Sequence, residues 1–288
     1  MKVIDFRLRP PYKEFNNDWY FGENVLQNFA YRLNQKPAAS AKMRSMELLL
    51  QEMDASGIDM GVVMGRYSFG ESKNSADFIE GIPNSTVAEL VNLYPDRFIG
   101  MISINIEASV EQALADIQTN VIQGNCKGIV IDTGYAAVAK HFAEAKFYPI
   151  YDFCQRNNIP VALGTALVYK DLRTAAAQYI DQVAMDFPRL RIAVGHGGWP
   201  CVTECCWVAF KRDNVYLSPD LFLYGAPGWQ DYLAAIKGLL KDKMLFGTAY
   251  PFSSFEEAVK FVKACNLTEA VYENYMGKNA LEFFQMAD

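Results

Sequence analysis

Short apolar runs alternate with amphipathic stretches along the whole chain, at a regular spacing. The runs Lys2–Phe6, Asp59–Met64, Phe98–Ile104, Lys127–Asp132, Pro160–Leu163, Arg191–Gly195, Val215–Ser218 and Met244–Gly247 predict strands. Several are near-continuous Val, Ile, Leu and Met, as expected of parallel strands buried on both faces. Between them, helical periodicity predicts helices over Met46–Ser56, Thr86–Tyr94, Val110–Val121, Pro149–Asn157, Leu172–Asp186, Cys201–Lys211, Trp229–Leu240 and Phe255–Cys265. Stop signals such as Ser56-Gly57 and Asn157-Asn158 stand just before the next strand. Eight strand–helix units predict a single-domain α/β protein over residues 1–288, a (β/α)8 TIM barrel. A doubly wound sheet is the competing arrangement, and the regular spacing favours closure. One connection, from Pro10 to about Ala41, is long and carries Tyr12, Phe15, Trp19, Tyr20, Phe21, Phe29 and Tyr31. It reads either as a substrate-contacting loop or as a cover for the barrel mouth or a subunit contact, which would suit a homodimer.

Composition narrows the class without naming a function. With 288 residues, 51% of them hydrophobic, the chain can bury a large core. A net charge of -6 argues against non-specific nucleic-acid binding. No apolar run is long enough to span a membrane, and MKVIDFRLRPP lacks the apolar stretch of a signal peptide. The 6 cysteines show no CxxC spacing, so reduced thiols in a cytoplasmic setting are the simplest reading.

In a barrel of this kind the chemistry collects at the C-terminal ends of the strands. Those ends carry Arg7 and Arg9, then Arg66, then Ser103 and Asn105, then Asp132, then Gly164 and Thr165, then His196, then Ser218 and Asp220, and finally Thr248, Ala249 and Tyr250. The strings VIDFRLRP, MDASGIDMGVV, YPDRF, FPRLRIAVGHGGWP, NVYLS, MLFGTAYP and KNALEFF keep this order over essentially the whole chain. Together they resemble the amidohydrolase-related family of metal-dependent hydrolases and decarboxylases. The resemblance implies an H-x-H after strand one, a histidine after strand five, another after strand six and an aspartate after strand eight. Carried onto this chain, those positions fall on Arg7 and Arg9, on or near Gly164, on His196 and on Ala249. Only His196 is a metal-ligand type, and the chain has 2 histidines in all, the other being His141, read as a surface residue. The chain therefore reads as a divergent member lacking most of the metal ligands, with no resident cofactor expected. A weaker single-metal site for zinc or manganese on His196, Asp132 and Asp220 is the alternative. Cys201, Cys205 and Cys206 read as packing residues rather than ligands.

Three arginines at neighbouring strand ends make a cationic pocket in an acidic protein. Guanidinium forks suit a carboxylate or phosphate. Arg7, Arg9 and Arg66 are therefore candidate substrate-binding residues. Asp5 shares their strand parity and is expected to point into the same interior, where it would pair with one of them. His196 is a candidate general acid or base or oxyanion donor. Asp220 and Asp132 are candidate bases, with Asp220 favoured because Ser-Pro-Asp turns directly after strand seven. Trp199 and Tyr250 read as an aromatic wall or as rim packing. These residues suit a hydrolase for a small anionic, carboxylate-bearing substrate. The resembling family includes metal-independent lactonases, which implies lactone chemistry as one route; those lactonases are expected to use the strand-eight aspartate, here Ala249. A non-catalytic anion-binding barrel, and a decarboxylase or hydrolase with one atypical metal, are the alternatives.

Overall fold

Each apolar run of the sequence must hide both of its faces, and it does so between a barrel interior and an outer layer of helices. The computed structural model describes residues 1–17, 19–67, 81–134, 140–165, 171 and 176–287; the side chains of Asn17 and Trp19 and the start of the helix predicted from Leu172 lie outside the described residues. Seven parallel strands run in sequence order: β1 (Ile4–Leu8), β2 (Met60–Met64), β3 (Phe98–Ser103), β4 (Gly128–Asp132), β5 (Val161–Gly164), β6 (Ile192–Gly195) and β7 (Val215–Ser218). The eighth run closes the ring. Leu245 N–H donates to Leu217 O at 2.8 Å on one side, and Phe6 N–H donates to Phe246 O at 2.8 Å on the other. Its pairing is two isolated bridges, at Met244 and Tyr250, rather than the continuous strand expected over Met244–Gly247. The chain turns at once, with Ala249 in the left-handed region at φ 53°.

The outer layer consists of α1 (Glu23–Arg32), α2 (Ala39–Met43), α3 (Met46–Ser56), α4 (Asn84–Leu93), α5 (Val110–Ile117), α6 (Tyr148–Arg156), α7 (Ala177–Asp186), α8 (Val202–Lys211), α9 (Trp229–Lys237), α10 (Phe255–Ala264), α11 (Glu269–Glu273) and α12 (Asn279–Phe284). The local signals are physical ones. Ser45, Ser109, Ser254 and Thr268 each accept a backbone N–H at a helix start, and Gly57 ends α3 at φ 71°.

Alternate residues of each strand divide between two apolar clusters. Ile4, Phe6, Met60, Val62, Met64, Ile99, Met101, Val130, Ala162, Ala193, Tyr216 and Leu245 fill the interior. Val63, Ile102, Ile129, Leu163, Val194 and Leu217 face the helices. Large side chains on β1 to β3 meet alanines on β5 and β6, which is how a narrow barrel is filled without voids. The far end is stoppered by α12: the Phe283 ring lies edge-on to Phe6 at 5.3 Å, and Phe284 stacks on Phe6 at 5.7 Å.

β1 departs from expectation in place and in register. It begins at Ile4, not Lys2, and runs to Leu8. Asp5 pairs with Gly61 but Leu8 with Val63, so β1 carries one extra residue, a bulge. Ile4 and Phe6 face the interior; beyond the bulge, Leu8 belongs to the outer cluster and Arg7 contacts the interior Met64.

The long connection is also more ordered than a loop. It contains α1, α2 and the turns Lys13–Asn17 and Trp19–Phe21. Phe15, Tyr20 and Phe21 are buried, Phe29 stacks on Phe252 at 4.1 Å, and Tyr12 donates to Glu89 at 2.7 Å. Tyr31 takes no part in this cover and is 86% exposed. Among the described residues, no helix is long and apolar enough to cross a membrane.

Candidate functional site

The bulge in β1 and three left-handed residues aim the polar side chains. His196 (φ 52°) follows β6, Asp220 (φ 41°) follows β7, and Ala249 ends the eighth run. None is glycine, so each holds a conformation costing about 1 kcal/mol or more, a pattern that concentrates at functional sites. The result at β6 and β7 is direct contact: His196 Nδ1 lies 2.8 Å from Asp220 Oδ1, with both residues buried. Asp220 Oδ1 also accepts the Leu221 N–H at 2.6 Å. With an acceptor facing Nδ1, the imidazole carries its proton there, and Nε2 presents a lone pair. Burial, and then the nearby Arg7 charge, hold the His196 pKa below its usual 6.5, so the ring is neutral near pH 7. Phe222 fixes the ring from the side, edge-on at 5.4 Å, and Trp199 stacks on Phe222 at 4.6 Å with its Nε1 donating to Pro227 O at 3.1 Å.

Arg7 comes next. Its Nε stands 3.8 Å from Asp220 Oδ2, too far for a direct hydrogen bond, and Nη1 lies 3.9 Å from Met64 Sδ. A Cβ at residue 195 would come within 2.9 Å of Arg7 Nη1, so Gly195 leaves the room this guanidinium occupies. Burial, followed by the charge of Arg9, lowers the Arg7 pKa. Arg9 and Arg66 lie against one ring: their guanidinium carbons lie 4.6 and 4.9 Å from the Tyr20 centroid, and Arg66 Nη1 donates to the Tyr20 hydroxyl at 2.5 Å. All three arginines are at least nine-tenths buried. The Nε of Arg7 and of Arg9 has no hydrogen-bond partner, and Arg9 forms no ion pair among the described residues. Sealed guanidinium donors without partners are costly and need a compensating acceptor.

Other expectations are revised. Asp5 does not pair with an arginine side chain. The bulge breaks the parity that would place it beside Arg7 and Arg9, and its carboxylate instead accepts the Arg7 and Thr248 backbone N–H groups, each at 3.0 Å, and the Thr248 hydroxyl at 2.5 Å. Tyr250 is fully buried; its hydroxyl meets Ser40 Oγ at 2.7 Å and its ring stacks on Phe255 at 4.9 Å, so it ties α2 to the eighth run. Asp132 is half-buried at the end of β4; Oδ1 accepts the Gly134 N–H at 3.0 Å, and its charge acts on Arg7. His141 is not an open surface residue: it stacks on Tyr179 at 3.9 Å, with Nδ1 sealed. Cys205 is buried, and burial drives its thiol pKa well up; burial also raises that of Cys206, to about 12. These thiols are packing groups. Tyr20, the ring shared by two arginines, was indistinguishable in the sequence from the other aromatics of its segment.

Asp5 gives a pH-dependent stability. Burial raises its pKa from 3.8 to about 7, against the three hydrogen bonds that lower it. The folded chain thus holds a proton that the unfolded chain has already released, and stability declines as pH rises from about 4 to about 7. Asp5→Asn keeps the geometry: its amide oxygen accepts both N–H groups, and its NH2 donates to the Thr248 hydroxyl oxygen. Denaturant titrations across this window should show the wild type losing a few kcal/mol that the variant does not lose. Parallel curves would refute the assignment.

The amidohydrolase family profile matches residues 9–286, and the chain belongs to that family. A solved structure of an uncharacterized TIM-barrel protein from Bordetella bronchiseptica is similar over 99% of both chains, at 35% identity and a TM-score of 0.90. The same fold is seen in a 2,6-dihydroxybenzoate decarboxylase complexed with 2,6-dihydroxybenzoate, at 17% identity, 99% and 100% coverage and a TM-score of 0.70. It recurs in the 5-carboxyvanillate decarboxylase of Novosphingobium aromaticivorans, complexed with manganese and 4-hydroxy-3-methoxy-5-nitrobenzoic acid, at 16% identity, 99% and 96% coverage and a TM-score of 0.69. No curated protein matches the chain. Against the manganese of that last structure, the donors here are few. Among the described residues, no three of His, Cys, Asp and Glu come together in a way that could hold a metal ion.

Proposed function

We propose that the chain is a hydrolase for a small carboxylate-bearing substrate with an activated ester, such as a lactone, and that it works without a divalent metal. The observation that carries this reading is the neutral His196, held by Asp220, next to buried guanidinium groups with unfilled donors. The site residues do not fit a divalent cation: Arg7 and Arg9 bring positive charge to the end of β1, and among the described residues no three His, Cys, Asp or Glu side chains converge on His196 Nε2. That the decarboxylases sharing this fold act on carboxylates agrees with an anionic substrate.

The chemistry then follows from positions. Arg9 and Arg66, both lying against Tyr20, take the substrate carboxylate. His196 Nε2 accepts a proton from water as the water oxygen bonds to the ester carbonyl carbon. The oxyanion that forms is stabilised by Arg7. When the carbonyl re-forms, the ring C–O bond breaks, and the imidazolium returns its proton to the leaving alkoxide. Asp220 holds the ring and supports its transient charge throughout. An ester this activated needs a base and an oxyanion partner more than a Lewis acid.

The test combines metal analysis with a panel of carboxylated lactones. Protein freed of metal by chelation is expected to hydrolyse at least one of them at an undiminished rate. Loss of activity on chelation with rescue by one added metal would defeat the metal-free reading. Tight dicarboxylate binding with no turnover on any lactone would favour an anion-binding barrel.

A further inference from the structure

We infer that Ser218 is a positioning residue and that, with Arg7 Nε and Asp220 Oδ2, it seats one buried water in the barrel interior beside Gly247. Three polar atoms at this place are sealed and have no hydrogen-bond partner: Ser218 Oγ, Asp220 Oδ2 and Arg7 Nε. Ser218 and Asp220 are fully buried and Arg7 is 5% exposed. Such a cluster is rare, because each unpartnered buried group costs on the order of 1 kcal/mol or more. Gly247 lies beside Ser218 Oγ and the base of the Asp220 side chain. A Cβ there would stand 3.1 Å from Ser218 Oγ, 3.2 Å from Asp220 Cβ and 3.6 Å from the Arg7 backbone N. The side chain that would crowd this spot is the one this chain lacks.

The chemistry of the three atoms selects the occupant. Arg7 Nε only donates, Asp220 Oδ2 accepts, and Ser218 Oγ does either. A water takes the Arg7 proton, gives one proton to Asp220 and gives the other to Ser218, so one molecule satisfies all three. The Arg7–Asp220 separation of 3.8 Å fits a bridged pair rather than a direct one.

The seat spaces the cation from the carboxylate that orients His196. Were Arg7 to close onto Asp220, it would neutralise the charge that supports the imidazolium. The catalytic part of this inference rests on the hydrolase reading above; the seat itself does not.

The experiment has two arms. A crystal structure of the unliganded wild type is expected to show one ordered water within about 3 Å of all three atoms. Ser218→Val, whose methyl groups enter the seat, is expected to lack it and to show Arg7 drawn to Asp220. A wild-type structure with Arg7 Nε bonded directly to Asp220 Oδ2 and no water there would overturn the proposal, whatever the enzyme's activity. On the lactone that the wild type hydrolyses, Ser218→Val is expected to lower kcat by about 10- to 100-fold, with KM changed by less than about threefold. The acidic limb of kcat/KM should move to lower pH, since a neutralised Asp220 no longer raises the His196 pKa. Ser218→Ala, which keeps the space but removes one anchor, is expected to hold the water less fully and to lower kcat less than Ser218→Val does. Unchanged kcat and an unchanged pH limb in Ser218→Val would remove Ser218 from any positioning role.

Discussion

Asp220→Asn is expected to lower kcat/KM by roughly 1,000-fold while leaving the fold intact. The loss comes from charge rather than from position. In the wild type, Asp220 Oδ1 accepts both the Leu221 N–H and the His196 Nδ1–H. An asparagine oxygen in the same place accepts both, so the tautomer is kept. The negative charge that supports the imidazolium is gone, and the asparagine NH2 stands where Oδ2 faced Arg7 Nε. The Arg7 charge then weighs more heavily on His196 and lowers the imidazole pKa further. Steady-state kinetics together with an NMR pH titration of the imidazole check both halves. A variant that keeps a tenth of the activity, or whose imidazole pKa does not fall, would remove the dyad from the mechanism.

Arg9→Met is expected to raise KM by roughly 30- to 300-fold and to raise stability at the same time. The two effects share a cause. Arg9 is buried against Tyr20 with an unpartnered Nε and no ion pair among the described residues. In the free protein, that buried cation lacks the acceptors water would have given it. Methionine fills similar space on the ring without the charge, a change that typically gains about 1–3 kcal/mol. The substrate carboxylate, however, loses a charge-assisted hydrogen-bonding partner worth about 2–3 kcal/mol. Arg9→Lys should restore little, because an ammonium does not stack flat on Tyr20 or present a fork. Calorimetric titration with a dicarboxylate and thermal unfolding read the two effects separately. Weaker binding without stabilisation would mean that Arg9 is satisfied in the free protein.

The fold was largely legible because its strands are short, apolar on both sides and regularly spaced. Seven of the expected runs are strands, and the eighth closes the ring through scattered bonds. What escaped were features that alternation cannot encode. The bulge in β1 is one residue of slippage against β2, and it overturned the expected Asp5–arginine pair by changing which residues face inward. The helices within the long connection are short, and they are held by contacts made far away in sequence, such as Phe29 on Phe252 and Ser40 with Tyr250. The site followed the same division. His196, Asp220 and Arg7 were readable as neighbours because strand ends converge in a barrel. The placing of Tyr20 against both Arg9 and Arg66, and the commitment of Tyr250 to Ser40, are products of tertiary packing.

The stopper at the base of the barrel has a consequence for traffic. α12 and its paired phenylalanines fill the end opposite the strand tips, so among the described residues no passage runs through the barrel from that side. Under the proposed chemistry, a product that still carries its carboxylate would leave by the mouth through which the next substrate arrives, holding the arginines until it goes. Turnover would then be a matter of queueing at one doorway.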